Sequence, residues 1–329
     1  MIHIPRSLRT LGLALVACVV PLAPAAAQPG DYPSKTITIV VPFPPGGVSD
    51  QLARTIGQHM AESLKVTVIV DNKPGGGAQI AASAVKQAPA DGYTIFLGDL
   101  GALSLNAFLY PRLSYDPQKD FTPLARLILA PSLLVLPANS PYASFDELVK
   151  VTRNKPGGLN IASQGNGTAG HIFIELLRMQ THGSVNHVPY RGSVPGLMDV
   201  AGGQVDAMYD AIVSSGPLVR DGKLKAVAVG APVRLAAFPN LPTLPELGYP
   251  GLSLTAWFGM MVKAGTPAPV VARLSDAVIA ALKQPEVSKR FTDQGVEVAP
   301  LGPQDFKVFM DAEAQRWSKV IRDAGIKLD

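Results

Sequence analysis

The stretch "VPFPPGGVSD", Val41 to Asp50, joins the apolar run Ile37 to Val41 to a segment, Gln51 to Leu64, that carries Leu52, Ile56, Met60 and Leu64 at four-residue spacing. The run reads as a buried strand and the segment as an amphipathic helix, so the residues between them form a βα connection. Such a connection does not need two prolines and two glycines. Pro44 and Pro45 carry no N–H and stiffen the approach, while Gly46 and Gly47 allow the backbone to come close to another group. In open α/β sheets these loops lie outside the carboxyl ends of the strands and lead into helix N-termini. The unpaired N–H groups and the dipole found there favour anions. Ser49 or Asp50 could cap the helix, and the same residues also describe a tight turn that binds nothing.

Further along the chain, short apolar runs alternate with segments of helical period, the pattern of βα units feeding parallel sheets. Strands are expected at Val66 to Val70 and Tyr93 to Leu97, with "NKPGGGA", Asn72 to Ala78, breaking the chain before a helix that ends near Gln87. A second series begins near Leu133 to Leu136 and continues through Leu159 to Ala162, Val185 to Val188, Val205 to Tyr209 and Leu224 to Val229. Ser144 and Glu147 make a capping box for a helix over Phe145 to Asn154. The Pro-rich stretch Phe238 to Gly251 reads as a surface loop. The tail reads as helical, with Val270, Leu274, Val278 and Leu282 on one apolar face and Phe306, Met310, Trp317 and Ile321 on another; Pro285 stops the first helix and Gly325 suits the end of the second. Those faces need cover, and so does a three-stranded N-terminal sheet. The chain end is therefore expected to pack back on the first sheet, which makes the second series an insertion between two parts of the first lobe.

The first 27 residues have the parts of a secretory signal: Arg6 and Arg9, the apolar run Leu11 to Leu22, and Ala25-Ala26-Ala27 before the expected cut. Cys18 is the single cysteine and lies inside that segment, where a lipoprotein site is the lesser alternative. A cut after Ala27 leaves no thiol for disulfides, nucleophiles or metal sites. It also leaves 27 basic against 25 acidic residues, so the formal charge falls from +4 to +2. With no basic run or aromatic-interleaved basic patch, nucleic acid is not expected as a partner. No later apolar stretch reaches the ~18 residues of a membrane span. About 300 residues is more than one core usually holds, so two domains are expected.

Three more loops could join the first at a site. "SQGNGTAGH", Ser163 to His171, follows a strand and matches G-x-G-x-x-G at Gly165, Gly167 and Gly170. A dinucleotide site would want an acidic residue about 20 positions on. Around Val185 to Arg191 there is none, whereas a backbone cradle for a carboxylate has no such requirement. "PYRG", Pro189 to Gly192, offers Arg191, either as a bidentate grip on a carboxylate or as an exposed arginine beside a turn. Asp210 is either a ligand for an amino or hydroxyl group or a helix cap, and His171 reads as a local hydrogen-bonding residue rather than a base. There is no G-x-S-x-G, H-E-x-x-H or Walker sequence, and His59, His171, His182 and His187 lack metal-ligand spacing. Binding is described more readily than catalysis; an exported enzyme using a nucleotide is the alternative.

From "YPSKTITIVVPFPPGGVSDQLAR" through "NKPGGGAQIAA", "GNGTAGH", "HVPYRGSVPGLMDVAGGQVDAMYD" and "AWFGMMVKAGTPAPVV", the chain resembles the Bug, or TctC-like, family of tripartite tricarboxylate transporter substrate-binding proteins. The resemblance implies an α/β, two-lobed periplasmic binding protein of the type II or "Venus flytrap" class, each lobe a mostly parallel sheet flanked by helices. It places lobe 1 at residues 28–131 and 254–329 and lobe 2 at 132–253. It implies no enzyme activity, no cofactor and no metal, and a monomer that passes a small organic carboxylate to inner-membrane permease subunits or, alternatively, to a sensor-kinase ectodomain. Carried over by position, the ligand-binding residues are Pro45, Gly46, Gly47, Val48, Ser49 and Asp50, with Gly101, Ala102 and Asn106, on the first lobe. On the second they are Ser163, Gly165, Asn166, Gly167, Thr168, His171, Tyr190, Arg191, Gly192 and Asp210. Where the family often has Gly-Thr-His-x-x-Asn, this chain has Gly101-Ala102-Leu103-Ser104-Leu105-Asn106, preceded by Asp99. That departure favours a ligand with one anchored carboxylate and an apolar or amine-bearing far end over a tricarboxylate such as citrate.

Overall fold

A computed structural model describes residues 32–323 and 325–328; the expected signal segment and Cys18 lie outside them. The first block is β1 (Ile37–Val41), α1 (Val48–Leu64), β2 (Val68–Asn72), α2 (Gln79–Gln87) and β3 (Thr94–Asp99), followed by a π-helical turn at Gly101–Leu105 and the short α3 (Asn106–Leu109). Pairing is parallel between β1 and both β2 and β3. Helix α1 starts three residues earlier than the apolar spacing suggests. Gly47 is the N-cap, so neither Ser49 nor Asp50 caps it. Asp50 instead reaches back from the first turn, its Oδ2 accepting from the Gly46 N–H at 3.0 Å and from Arg54 Nε at 3.0 Å.

The 17-residue strand β4 (Phe121–Pro137) follows, and it serves two sheets. Residues 121–131 pair antiparallel with β9 (Thr255–Lys263), and β10 (Glu297–Leu301) flanks the same half. From Ser132 onward the partners are β7 and β8. Pro131, which has no N–H to give, stands at the handover. The second sheet is completed by α4 (Phe145–Asn154), β5 (Leu159–Ser163), α5 (Ala169–Thr181), β6 (Val185–Pro189), α6 (Ser193–Ala201), β7 (Ala207–Ala211), α7 (Ile212–Arg220) and β8 (Leu224–Gly230). Pairing is parallel between β5 and both β6 and β7. Ser144 caps α4, its Oγ accepting from the Glu147 N–H at 3.3 Å, and Glu147 returns a bond to the Ala143 N–H. The Pro-rich stretch after β8 is not wholly at the surface, because Thr243 and Leu244 are buried and bridge to Val229.

The tail differs most from expectation. It is not only helical: β9 and β10 precede and interrupt α8 (Ala268–Lys283), α9 (Pro285–Thr292) and α10 (Pro303–Asp323). Strand β9 sits between β3 and β4, so the first sheet runs β2-β1-β3-β9-β4 and mixes parallel with antiparallel pairs. Its residues, Thr255 to Lys263, are almost all buried on both faces and show no alternation. The return to the first sheet takes the expected form. Phe306, Met310, Trp317 and Ile321 of α10 are buried. Trp257 on β9 and Trp317 on α10 both donate their indole N–H to Glu313 Oε2, at 2.9 and 3.0 Å. Arg126 of β4 donates twice to the Ala299 carbonyl and stacks on Phe309. Gly325, with φ 63°, ends α10 with bonds from its own N–H to Arg322 and from Ile326 to Ile321, the Schellman pattern. Among the described residues no helix is long and apolar enough to cross a membrane.

Because Glu313 satisfies two buried indoles, Glu313→Ala should destabilise the protein by roughly 2–6 kcal/mol, at about 1–3 kcal/mol per orphaned donor. Glu313→Gln, which retains an acceptor oxygen, should lose less than half as much. Chemical denaturation followed by tryptophan fluorescence checks both, and equal losses would show that the indole bonds are not what α10 contributes.

Candidate ligand-binding cleft

The loops at the carboxyl ends of β1 and β3 face those at the ends of β5, β6 and β7. Between them lie two adjoining cavities, a small one of about 60 Å³ and a wider one of about 620 Å³, which share Phe43, Pro44, Asp99, Gln164, Thr168 and Arg191 as walls. Four helices begin at the smaller cavity: α1 through Gly47, Val48 and Ser49, α5 through Thr168 and Ala169, α6 through Gly192, Ser193 and Val194, and α7 through Ala211. First-turn N–H groups have no intrahelical acceptor, and the dipoles add, so these helix ends favour an anion here without a buried cation. Of the described residues lining the two cavities, Arg191 alone has a basic side chain, and it is exposed.

Two carboxyl groups sit against that field from opposite sides. Asp99 ends β3 and accepts the Ala102 N–H on Oδ1 at 3.0 Å. Asp210, wholly buried on β7, accepts on Oδ1 from Gln164 Nε2 and Ser193 Oγ, both at 2.6 Å, and a backbone bond from the Ala211 N–H adds to these. Burial pushes each carboxyl up to about 6; hydrogen bonds to Ala102 in one case, and to Ser193 and Gln164 in the other, only partly offset it.

Pro45, Gly47, Val48, Ser49, Gly192 and Asp210 line the smaller cavity, and Gly101, Ala102, Asn106, Gly165, Asn166, Gly167 and Tyr190 the wider one, with Thr168 and Arg191 in both. Gly46, Asp50, Ser163 and His171 line neither. Gly46 and Asp50 bond to each other behind the loop. His171 and His187 stack 4.3 Å apart beneath the glycine loop. His171 Nδ1 accepts the Gly167 N–H at 3.3 Å, and Ser163 Oγ pairs with His187 Nε2 at 2.6 Å. Burial depresses both imidazoles to about 4, which keeps Nδ1 of His171 an acceptor at neutral pH. Ser163 and His171 thus position the loop rather than face the cleft. Gln164, Ser193, Asp99 and Phe258 are wall residues that the sequence-based assignment omits. Gln164 and Ser193 adjoin assigned loop residues, so proximity was a usable signal; Phe258 comes from β9, which no periodicity announced.

The facing loops approach so closely that side chains are excluded. A Cβ on Gly101 would lie 2.6 Å from the Gly167 carbonyl oxygen of the opposite sheet, and one on Gly167 would collide with Asn106 Oδ1. Gly167 also needs its positive φ of 79°, whereas Gly101 does not occupy the left-handed region. Gly101→Ala is therefore the cleaner probe. It should fold with near-normal stability yet hold the loops apart, giving a larger radius of gyration in solution scattering and at least tenfold weaker ligand binding. Compaction equal to that of the unmodified protein would refute the steric argument.

The titrating groups make a second prediction, for the ligand-free protein. Asp99 and Asp210, raised in the fold, favour the folded state increasingly as pH falls from about 6 toward 4. His171 and His187, depressed in the fold, do the opposite over about 6.5 to 4, because only the unfolded chain gains their protons. The two effects oppose one another. Asp210→Asn removes one acid-favouring term, so its melting temperature should drop more between pH 6.5 and 4.5 than that of the unmodified protein. A smaller or equal drop would contradict the buried-carboxylate assignment.

Residues 52–326 match the family described as tripartite tricarboxylate transporter family receptor. The chain is 32% identical over 327 residues to protein BugT of Bordetella pertussis, covering 99% of each chain. Among solved structures it resembles an R. palustris protein solved with adipate, with TM-score 0.86 and 35% identity over 90% of this chain and 99% of that one. It also resembles MatC from Rhodopseudomonas palustris with bound malate, with TM-score 0.82 and 37% identity over 88% and 100%. These relatives are binding proteins rather than enzymes, and their fold is the periplasmic-binding-protein α/β fold expected from the sequence. With the match covering the chain almost end to end, the protein belongs to the TctC, or Bug, family of solute-binding receptors.

Proposed function

We propose that the protein is an extracytoplasmic receptor that captures a small organic carboxylate between two lobes and delivers it to the inner-membrane permease subunits of a tripartite tricarboxylate-type transporter. The observation that carries this reading is the convergence of four helix N-termini on one small cavity. Such a space stabilises a carboxylate through backbone N–H groups without a paired cation. The adipate and malate named for two solved relatives point to the same chemistry. The lobes correspond to residues 28–131 with 254–329, and to 132–253. They would rotate about β4 and the return segment between β8 and β9, and binding would shift the open–closed equilibrium toward the form the permease engages.

The mature chain, refolded to strip carried-over ligand, should be screened by thermal shift against mono-, di- and tricarboxylates, aromatic acids, amino acids and NAD(P). A ligand at 100 times its Kd adds about 2.7 kcal/mol to stability. At least one carboxylate class should raise the melting temperature by several degrees while nucleotides leave it unchanged. Stabilisation by a nucleotide alone would replace this reading with an enzymatic one.

A further inference from the structure

Within "SQGNGTAGH" the dipeptide Asn166-Gly167 carries a chemistry that ligand binding does not use, and no other asparagine in the sequence is followed by glycine. Asparagine is thermolabile because the backbone nitrogen of the next residue can attack its side-chain carbonyl carbon. Glycine lacks the side chain that would hinder this approach. Asn166 is exposed and lines the wider cavity, so water reaches it. The attacking nitrogen is held back in the structure, since the Gly167 N–H donates to His171 Nδ1 at 3.3 Å. Both residues also press on the opposite sheet: a Cβ on Gly101 would lie 2.6 Å from the Gly167 carbonyl oxygen, and one on Gly77 would lie 3.4 Å from that of Asn166. These restraints come from the facing loops as well as from His171, so parting the loops gives the peptide room to turn.

We propose that Asn166 is a site of spontaneous deamidation, reactive when the facing loops part and shielded when they meet, and that its conversion weakens ligand capture. The last clause rests on the carboxylate-receptor reading; the reaction itself does not. Hydroxide takes the Gly167 N–H proton, the nitrogen bonds to Asn166 Cγ, and the Cγ–N bond of the side-chain amide breaks. The nitrogen of that amide takes a proton from water and leaves as ammonia. Water then opens the resulting succinimide at either carbonyl, giving aspartate or isoaspartate, with nothing oxidised or reduced. Aspartate adds a negative charge to a wall that already holds Asp99 and meets the incoming anion. Isoaspartate also lengthens the backbone by one carbon, in a loop so tightly met by its neighbours that Gly167 has no space for a Cβ.

The test incubates the full mature chain, refolded free of ligand, at mildly alkaline pH, with and without saturating malate or adipate as probes. Digestion and mass spectrometry follow the one-dalton gain at each asparagine. Asn166 should convert tenfold or more faster than any other asparagine, Asn166→Gln should lose the fast conversion, and a probe that calorimetry shows to bind should slow it threefold or more. Aged protein, separated by its added charge, and Asn166→Asp should bind that probe about fivefold or more weakly than unaged protein. Conversion at Asn166 no faster than elsewhere would overturn the inference. A rate unchanged by a bound probe would remove the shielding, and unchanged affinity in the aged fraction would remove the consequence. If the unaged protein bound neither acid, nor any other carboxylate, the consequence would fall with the receptor reading, and fast conversion at Asn166 would still stand.

Discussion

The architecture depends on one strand. Over 17 residues, β4 supplies its first half to one sheet and its second half to the other, with Pro131 at the change of partners. Every approach of loop to loop across the cleft is referred to that continuous backbone, because the sheets share it. The return segment between β8 and β9 makes the second crossing, and β9 then fills the place between β3 and β4. Two connections of this kind fix how the facing loops meet more firmly than a single tether would.

Closure brings backbone to backbone, and that explains much of the unusual composition. Gly101 and Gly167 meet where any side chain would collide. The glycines of the opening stretch and of the loop after β5 therefore have two duties. The opening stretch exposes first-turn N–H groups to the cavity, and Gly167 removes the bulk that would keep the facing loops apart, whereas a Cβ on Gly47 would meet nothing. Behind the second loop the stacked neutral histidines act as a support, with His171 accepting the Gly167 N–H and His187 paired to Ser163. Side chains that looked like ligand contacts are the frame of a backbone cradle.

The electrostatics of the cleft are a balance of unlike parts. Four helix N-termini create a field that suits an anion, and two buried carboxyl groups stand inside the same walls. Neither feature would be stable beside the other without the hydrogen bonds that hold Asp210 and that hold Asp99 through the turn at Gly101–Leu105. The arrangement presents a pattern of charge rather than a net charge.

The sequence by itself determined the βα repeats, the insertion of one series within another, the capping box at Ser144 and the two glycine loops, because each is written in local periodicity, turn chemistry and spacing. Family motifs extended this to nearly every loop at the cleft. Tertiary structure alone decided the rest. The buried strand β9, apolar on both faces, has no alternation to mark it, and β4 carries prolines and Arg126 that break its pattern, so both depended on partners far away in the chain. The same limit held for individual residues. Whether His171, Ser163 or Asp50 faces the cleft or supports it is set by which way a side chain turns once two sheets have met, and the buried Asp210 carboxyl is held because Gln164 and Ser193, 46 and 17 positions away, are folded onto it.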